Sequence, residues 1–207
     1  MNPTISFESV TPWEDLCLPA AKKSCKLKAK SKLIMDDLRY PIGRFQPPAG
    51  STADDRAAHI AVLSELPDRL SEAVNGLDDA QLDTAYREGG WSLRQVVHHI
   101  ADSHMNSYVR FKLALTEFEP IIKPYDEGAW AELPDNQMPI DVSLTLTWAL
   151  HERWVALLES MTEKDFLKKF THPERGVQDL ATTLALYDWH SRHHTAHITS
   201  LRARMGW

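Results

Sequence analysis

The sequence has little of several things that would classify it quickly. It carries two cysteines, Cys17 and Cys25, and no others in 207 residues. That excludes a disulfide framework and a thiolate metal cluster, and it fits a reduced, cytoplasmic setting. Glycine is scarce: the 8 glycines are nearly matched by 7 tryptophans, so the chain is poor in flexible loops and rich in large packing groups. There is no Gly-rich phosphate loop and no Ser-His-Asp order. No apolar run approaches the roughly 18 residues that span a bilayer, so no membrane partner is expected. Positive charge does not dominate. With 23 basic against 29 acidic residues the net charge is -6, which argues against nucleic acid as a partner. No convincing strand alternation occurs anywhere. What remains is ordinary globular composition, long enough for one domain with a sizeable core.

The N-terminal segment, residues 1–34, differs from the rest. Lys22 to Lys32 contains six lysines and no acidic residue, and the segment reads as a disordered extension, with Met35 as an alternative start. "RYPIGRFQPP", 39–48, is extended or turning. Four helical stretches follow. "STADD" caps a helix over about 57–75, with Leu63, Leu66, Leu70 and Val74 on one stripe and a kink expected at Pro67. "GGWSLRQ" breaks the chain and then offers Ser92 and Gln95 as a capping box for a helix running to about Glu117. Residues 117–139 form a long, irregular crossover. A third helix covers about 142–161, with Leu146, Leu150, Trp154, Leu157 and Met161 on one face. "THPERG", 171–176, is a turn, and the last helix runs over about 178–204. The expected fold is all-α, a four-helix bundle with its long connection between the second and third helices, and the domain spans 35–207.

Seven of the ten histidines fall in two helical windows, "VVHHIADSH" and "WHSRHHTAHI". His190 and His194 are four apart and share a face, as do His193 and His197, the two pairs pointing about 60° apart. The apolar stripe through Leu184, Tyr187, Ile198 and Leu201 contains His194 and borders His190. On the second helix, Val96, Ile100 and Ser103 mark the inner face and His99 lies beside it. So His99, His190 and His194 can converge in the core. One inward histidine is usually a hydrogen-bonded core residue. Three of them would each need a partner in a dry interior, and a divalent metal satisfies all three together. Zn2+ suits such a set best, and Ni2+, iron or cobalt also accept imidazole. His98, His104, His193 and His197 are expected at the surface or behind the ligands, while His59, His151 and His172 read as isolated. Asp102 and Asp188 lie near the ligand faces and could orient an imidazole. The glutamate of H-E-x-x-H is missing, which removes the support for a metalloprotease.

At these residues the sequence resembles the DinB/YfiT-like superfamily of metal-binding four-helix bundles, and the YfiT branch of metal-dependent hydrolases most closely. The resemblance covers about 36–207. It rests on "GGWSLRQVVHHIADSHMNSYVRFKLALTE" and "LYDWHSRHHTAHI", with "RYPIGRF", "IKPYDEGAWAEL" and "LHERWVALL" in support. In that family the first ligand is the histidine eight positions after the helix-opening Trp, here Trp91 and His99. The other two open and close an H-x-x-x-H, here His190 and His194. The lysine-rich extension departs from the family pattern.

The resemblance implies a hydrolase acting on a small-molecule substrate, with a metal-activated water. It also implies an alternative, a low-molecular-weight-thiol S-transferase of the bacillithiol type, in which the metal would activate the thiol of the substrate. A non-catalytic metal-binding bundle is a third reading, and a fourth ligand from the protein would favour it. Asp102 and His104 are near enough in sequence to be candidate bases; the catalytic residues are otherwise open. Relatives often pair as homodimers, and Trp130 in the crossover is a candidate contact.

Overall fold

The computed structural model describes residues 38–207, so the expectations for the lysine-rich segment lie outside the described residues. In chain order the elements are α1 (Ala53–Val74), α2 (Asp79–Leu82), α3 (Leu93–Thr116), α4 (Glu127–Ala131), α5 (Asp141–Glu159), α6 (Glu163–Phe166), β1 (Lys169–His172), β2 (Gly176–Asp179) and α7 (Leu180–Met205). The long helices are α1, α3, α5 and α7. Both α1 and α3 pack against α5 and α7, so α1 and α3 sit across the bundle from each other. This is the expected four-helix bundle, with the α3–α5 crossover as its long connection.

Local chemistry starts most of the helices. Thr52, Ser92 and Thr162 cap α1, α3 and α6 with reciprocal capping boxes, and Asp179 caps α7. The cap at Thr52 starts α1 at Ala53, four residues earlier than its apolar stripe suggests. The helix is continuous through Pro67. Before α3 the chain makes a tight turn. Gly89 has a φ of +63°, and a Cβ on Gly90 would meet the Arg87 Cγ at 2.8 Å and the Arg87 carbonyl at 3.2 Å. Only glycine fits at Gly90, and the turn sets Trp91 at the mouth of the bundle.

Three expectations need correction. First, a strand pair exists: β1 and β2 form an antiparallel hairpin, Phe170 facing Gln178. Each strand is four residues long, below the length at which alternation stands out, although Phe170 and His172 are buried on one face of β1. Second, the crossover is not irregular throughout. It contains α4 and a 3-10 turn, Pro134–Gln137, and it is tied to the hairpin by the Ile122 amide donating to the Thr171 carbonyl at 3.0 Å. Third, α5 is rotated from its expected stripe. Leu146 is exposed, and Thr147, Leu150, His151, Trp154 and Leu158 are buried.

Two apolar clusters fill the bundle. One gathers Leu66, Leu70, Leu93, Val96, Ile100, Ile198 and Leu201, and the other Leu63, Phe111, Trp154, Leu158, Phe170, Leu184 and Tyr187. Along α3 the first cluster ends at Ile100 and the second resumes at Phe111. Along α7 the order is reversed. The histidines occupy the layer between them.

Candidate metal centre

His99 comes from α3, and His190 and His194 from adjacent turns of α7. One ring nitrogen from each lies within 4.8 Å of the others, and the His99 and His190 Nε2 atoms are 3.3 Å apart. Trp91 leans on His99 with ring centroids 4.6 Å apart. Burial pushes the pKa of His99 down to about 4 and those of His190 and His194 well below the ordinary value, because a dry interior disfavours imidazolium and neighbouring imidazoles add repulsion. All three rings are therefore neutral at pH 7, the form in which imidazole binds a metal. The spacing also fits. Two nitrogens bound to zinc at about 2.0–2.1 Å and a tetrahedral angle lie about 3.3 Å apart.

A second trio, His193, His194 and His197, also brings ring nitrogens within 4.8 Å of one another. His197 is already engaged. Its Nε2 lies 3.1 Å from the Arg39 carbonyl and must donate to it, which leaves Nδ1 as an acceptor 3.4 Å from His194 Nδ1. His197 therefore reads as a ring that orients His194 through its Nδ1.

Of the two places expected for four further histidines, at the surface or behind the ligands, the surface is excluded. His98, His104, His193 and His197 are all buried. His98 Nδ1 bonds the Ser143 hydroxyl at 2.7 Å and its Nε2 meets the Met138 carbonyl at 3.1 Å. His193 stacks on Trp189 at 4.3 Å and His197 on Tyr86 at 3.9 Å. A two-sided view of α7 assumes solvent opposite the apolar stripe. Here the stretch through Arg39 and Tyr40 and the turn carrying Tyr86 cover that side. The three histidines read as isolated are partnered as well. His59 pairs with Asp188 at 2.6 Å, His151 is buried in the bundle, and His172 Nδ1 accepts the Glu174 amide at 3.2 Å.

The site opens into a cavity of about 390 Å³, walled by Trp91, Tyr125, Tyr187 and Trp189 and carrying Arg39, Arg110, Arg175, Glu127 and Glu174. Neither Asp102 nor His104 lines it. Asp102 has its pKa pushed up to about 6 by burial and by Asp135. Asp188 orients His59 rather than any of the three converging rings. Trp130 is half-buried against Tyr125, ring centroids 4.5 Å apart. Sequence reading missed Tyr125, Glu127 and Glu174, which reach the site from the crossover and the hairpin, far from either histidine window. Tyr125 has its phenol pKa raised, first by burial and then by Tyr187. It stays protonated and can donate a hydrogen bond into the cavity.

Comparison with known proteins adds the following. The sequence model of the DinB superfamily matches residues 63–198. A protein of Bacillus cereus (strain 03BB102), named "Putative metal-dependent hydrolase", is 57% identical over 173 residues, which is 84% of this chain and 100% of that protein. A protein of the same name from Bacillus anthracis (strain CDC 684 / NRRL 3495) is 56% identical over the same length. Among solved structures, YfiT from Bacillus subtilis, described as "a probable metal-dependent hydrolase with an unusual four-helix bundle topology", is 51% identical. It superposes with a TM-score of 0.81 over 83% of this chain and 99% of that one.

Proposed function

This chain belongs to the DinB superfamily, and on that footing we propose that it is a metal-dependent hydrolase whose divalent metal, zinc first and nickel second, is held by His99, His190 and His194. The observation that carries the proposal is the convergence of three neutral imidazoles, two of them with facing Nε2 atoms 3.3 Å apart, at the floor of a polar cavity. When bound, such a metal supplies Lewis acidity: it polarises a carbonyl or lowers the pKa of a water to about 7.

The chain's own residues do the rest. Tyr125, held protonated, donates to the oxygen on which negative charge develops. Glu127 and Glu174 are the carboxylates among the described lining residues, and they take the proton-accepting role. Trp91, Tyr187 and Trp189 limit water at the reacting centre. The substrate is a small molecule, by the size of the cavity. No residue among the described ones offers a thiol, so an S-transferase would draw its thiol from the substrate.

The test is turnover. Metal-loaded protein is offered a panel of esters and amides, then monochlorobimane with and without low-molecular-weight thiols. Metal-dependent hydrolysis that is lost in His99→Ala supports the proposal. Metal-dependent thiol consumption with no hydrolysis across the panel replaces it with the transferase.

A further inference from the structure

On the reading that His99, His190 and His194 hold a metal, we propose that His104 and His151 are positioning residues: a relay from the Leu63 carbonyl through both rings fixes the His190 proton on Nδ1 and leaves its Nε2 lone pair free for the metal.

The relay begins with a proline. In α1 the carbonyl of Leu63 would ordinarily accept the amide of residue 67, but Pro67 has no N–H, so that carbonyl is left free inside the bundle. His151 on α5 fills the place, its Nδ1 2.7 Å from the Leu63 oxygen. A carbonyl can only accept, so His151 Nδ1 carries a proton. A neutral imidazole has one donor and one acceptor. His151 Nε2 is therefore an acceptor, and it lies 2.9 Å from His104 Nδ1, which must donate. His104 Nε2 is then an acceptor, 3.1 Å from His190 Nδ1, which donates in turn. What is left is the lone pair of His190 Nε2, facing His99 Nε2 at 3.3 Å, with the Ser103 hydroxyl at the limit of hydrogen-bond distance, 3.5 Å.

Every proton in the chain is settled by the one before it, back to a backbone oxygen that exists as an acceptor because of Pro67. The relay draws one group from each long helix: Leu63 from α1, His104 from α3, His151 from α5 and His190 from α7. It runs through a dry layer, with Trp154 and Tyr187 edge-on to His104 at 5.8 and 5.0 Å. Metal-bound histidines are commonly oriented by a carboxylate or a carbonyl on the far ring nitrogen. Here two further imidazoles carry that role across the bundle, and they do so without adding negative charge behind the ligand.

The experiment uses the full chain labelled with 15N-histidine. In the metal-free protein, long-range 1H–15N spectra read the tautomers of His104, His151 and His190. All three are expected as Nδ1–H, and an Nε2–H tautomer at His104 or His151 overturns the relay. Zinc alone is then titrated into wild type, His151→Leu and His151→Gln. The leucine variant loses the acceptor facing His104 and is expected to bind zinc about 10–100-fold more weakly. Glutamine keeps an acceptor there, and affinity is expected to recover. Equal affinity in wild type and His151→Leu, or no recovery in His151→Gln, overturns the proposal. Should His151→Leu fail to fold, the wild-type spectrum decides on its own. If wild type takes up no zinc, the metal reading fails, and the same spectrum still reads the relay.

Discussion

At the level of single side chains, burial sets both the charge and the working form of the site. His151 shows the thermodynamic consequence. Its folded pKa is pushed down to about 4 by desolvation, against 6.5 for an exposed imidazole. The unfolded chain therefore binds the extra proton first as pH falls. The contribution of this ring is full above about pH 6.5, declines as pH falls toward 4, and levels off below that. The single ring accounts for a loss on the order of 3 kcal/mol. Urea unfolding of the metal-free protein at pH 7, 5.5 and 4 reads this loss together with those of the other buried histidines, and a flat profile would contradict their buried, neutral state. The other testable side chain is Tyr125. With the phenol as a donor to developing charge, Tyr125→Phe is expected to lower kcat on the order of 100-fold while leaving zinc affinity unchanged. A rise in KM with kcat unchanged, or a loss of zinc, would remove it from that role.

At the level of elements, the contact to break is Arg94. It is buried at the start of α3, donates to Asp83 at 2.6 Å and Asp79 at 2.7 Å, and reaches the Met138 carbonyl at 3.3 Å ahead of α5. Arg94→Ala is expected to destabilise by about 2 kcal/mol, the two aspartates being largely exposed and their share screened. Arg69→Ala removes the exposed pair with Glu65 at 2.5 Å and is expected to cost under about 0.5 kcal/mol. Denaturant midpoints of the two variants check the contrast; equal losses would show that burial does not set it.

Elements also show what the sequence makes legible. The i, i+4 spacing of His190 and His194, the place of His99 beside the inner face of Val96, Ile100 and Ser103, and the capping box at Ser92 are local, and the structure places all of them where periodicity and caps predict. The relay was not legible, because it needs one group from each of four helices. Its one local trace was Pro67, read as a kink when its chemical effect is a freed carbonyl at Leu63. The hairpin was too short to signal itself. The burial of His193 and His197 depends on Tyr40 and Tyr86, which reach α7 from segments whose sequence gives no sign of that contact.

At the scale of the whole molecule, two apolar clusters sandwich a layer of polar rings, so the centre of the bundle is also its most demanding region to satisfy. The outer surface has a complementary feature. Met105 and Val109 on α3, and Val142 and Leu146 on α5, are large apolar side chains left exposed on two packed helices.

The central claim is that His99, His190 and His194, and not the neighbouring trio that shares His194, hold one divalent metal. Calorimetric titration of zinc into wild type, His99→Ala and His193→Ala tests it most directly. The expected result is one zinc per chain in wild type, none of comparable affinity in His99→Ala, and near-normal binding in His193→Ala. Undiminished binding in His99→Ala, or its loss in His193→Ala, would contradict the assignment.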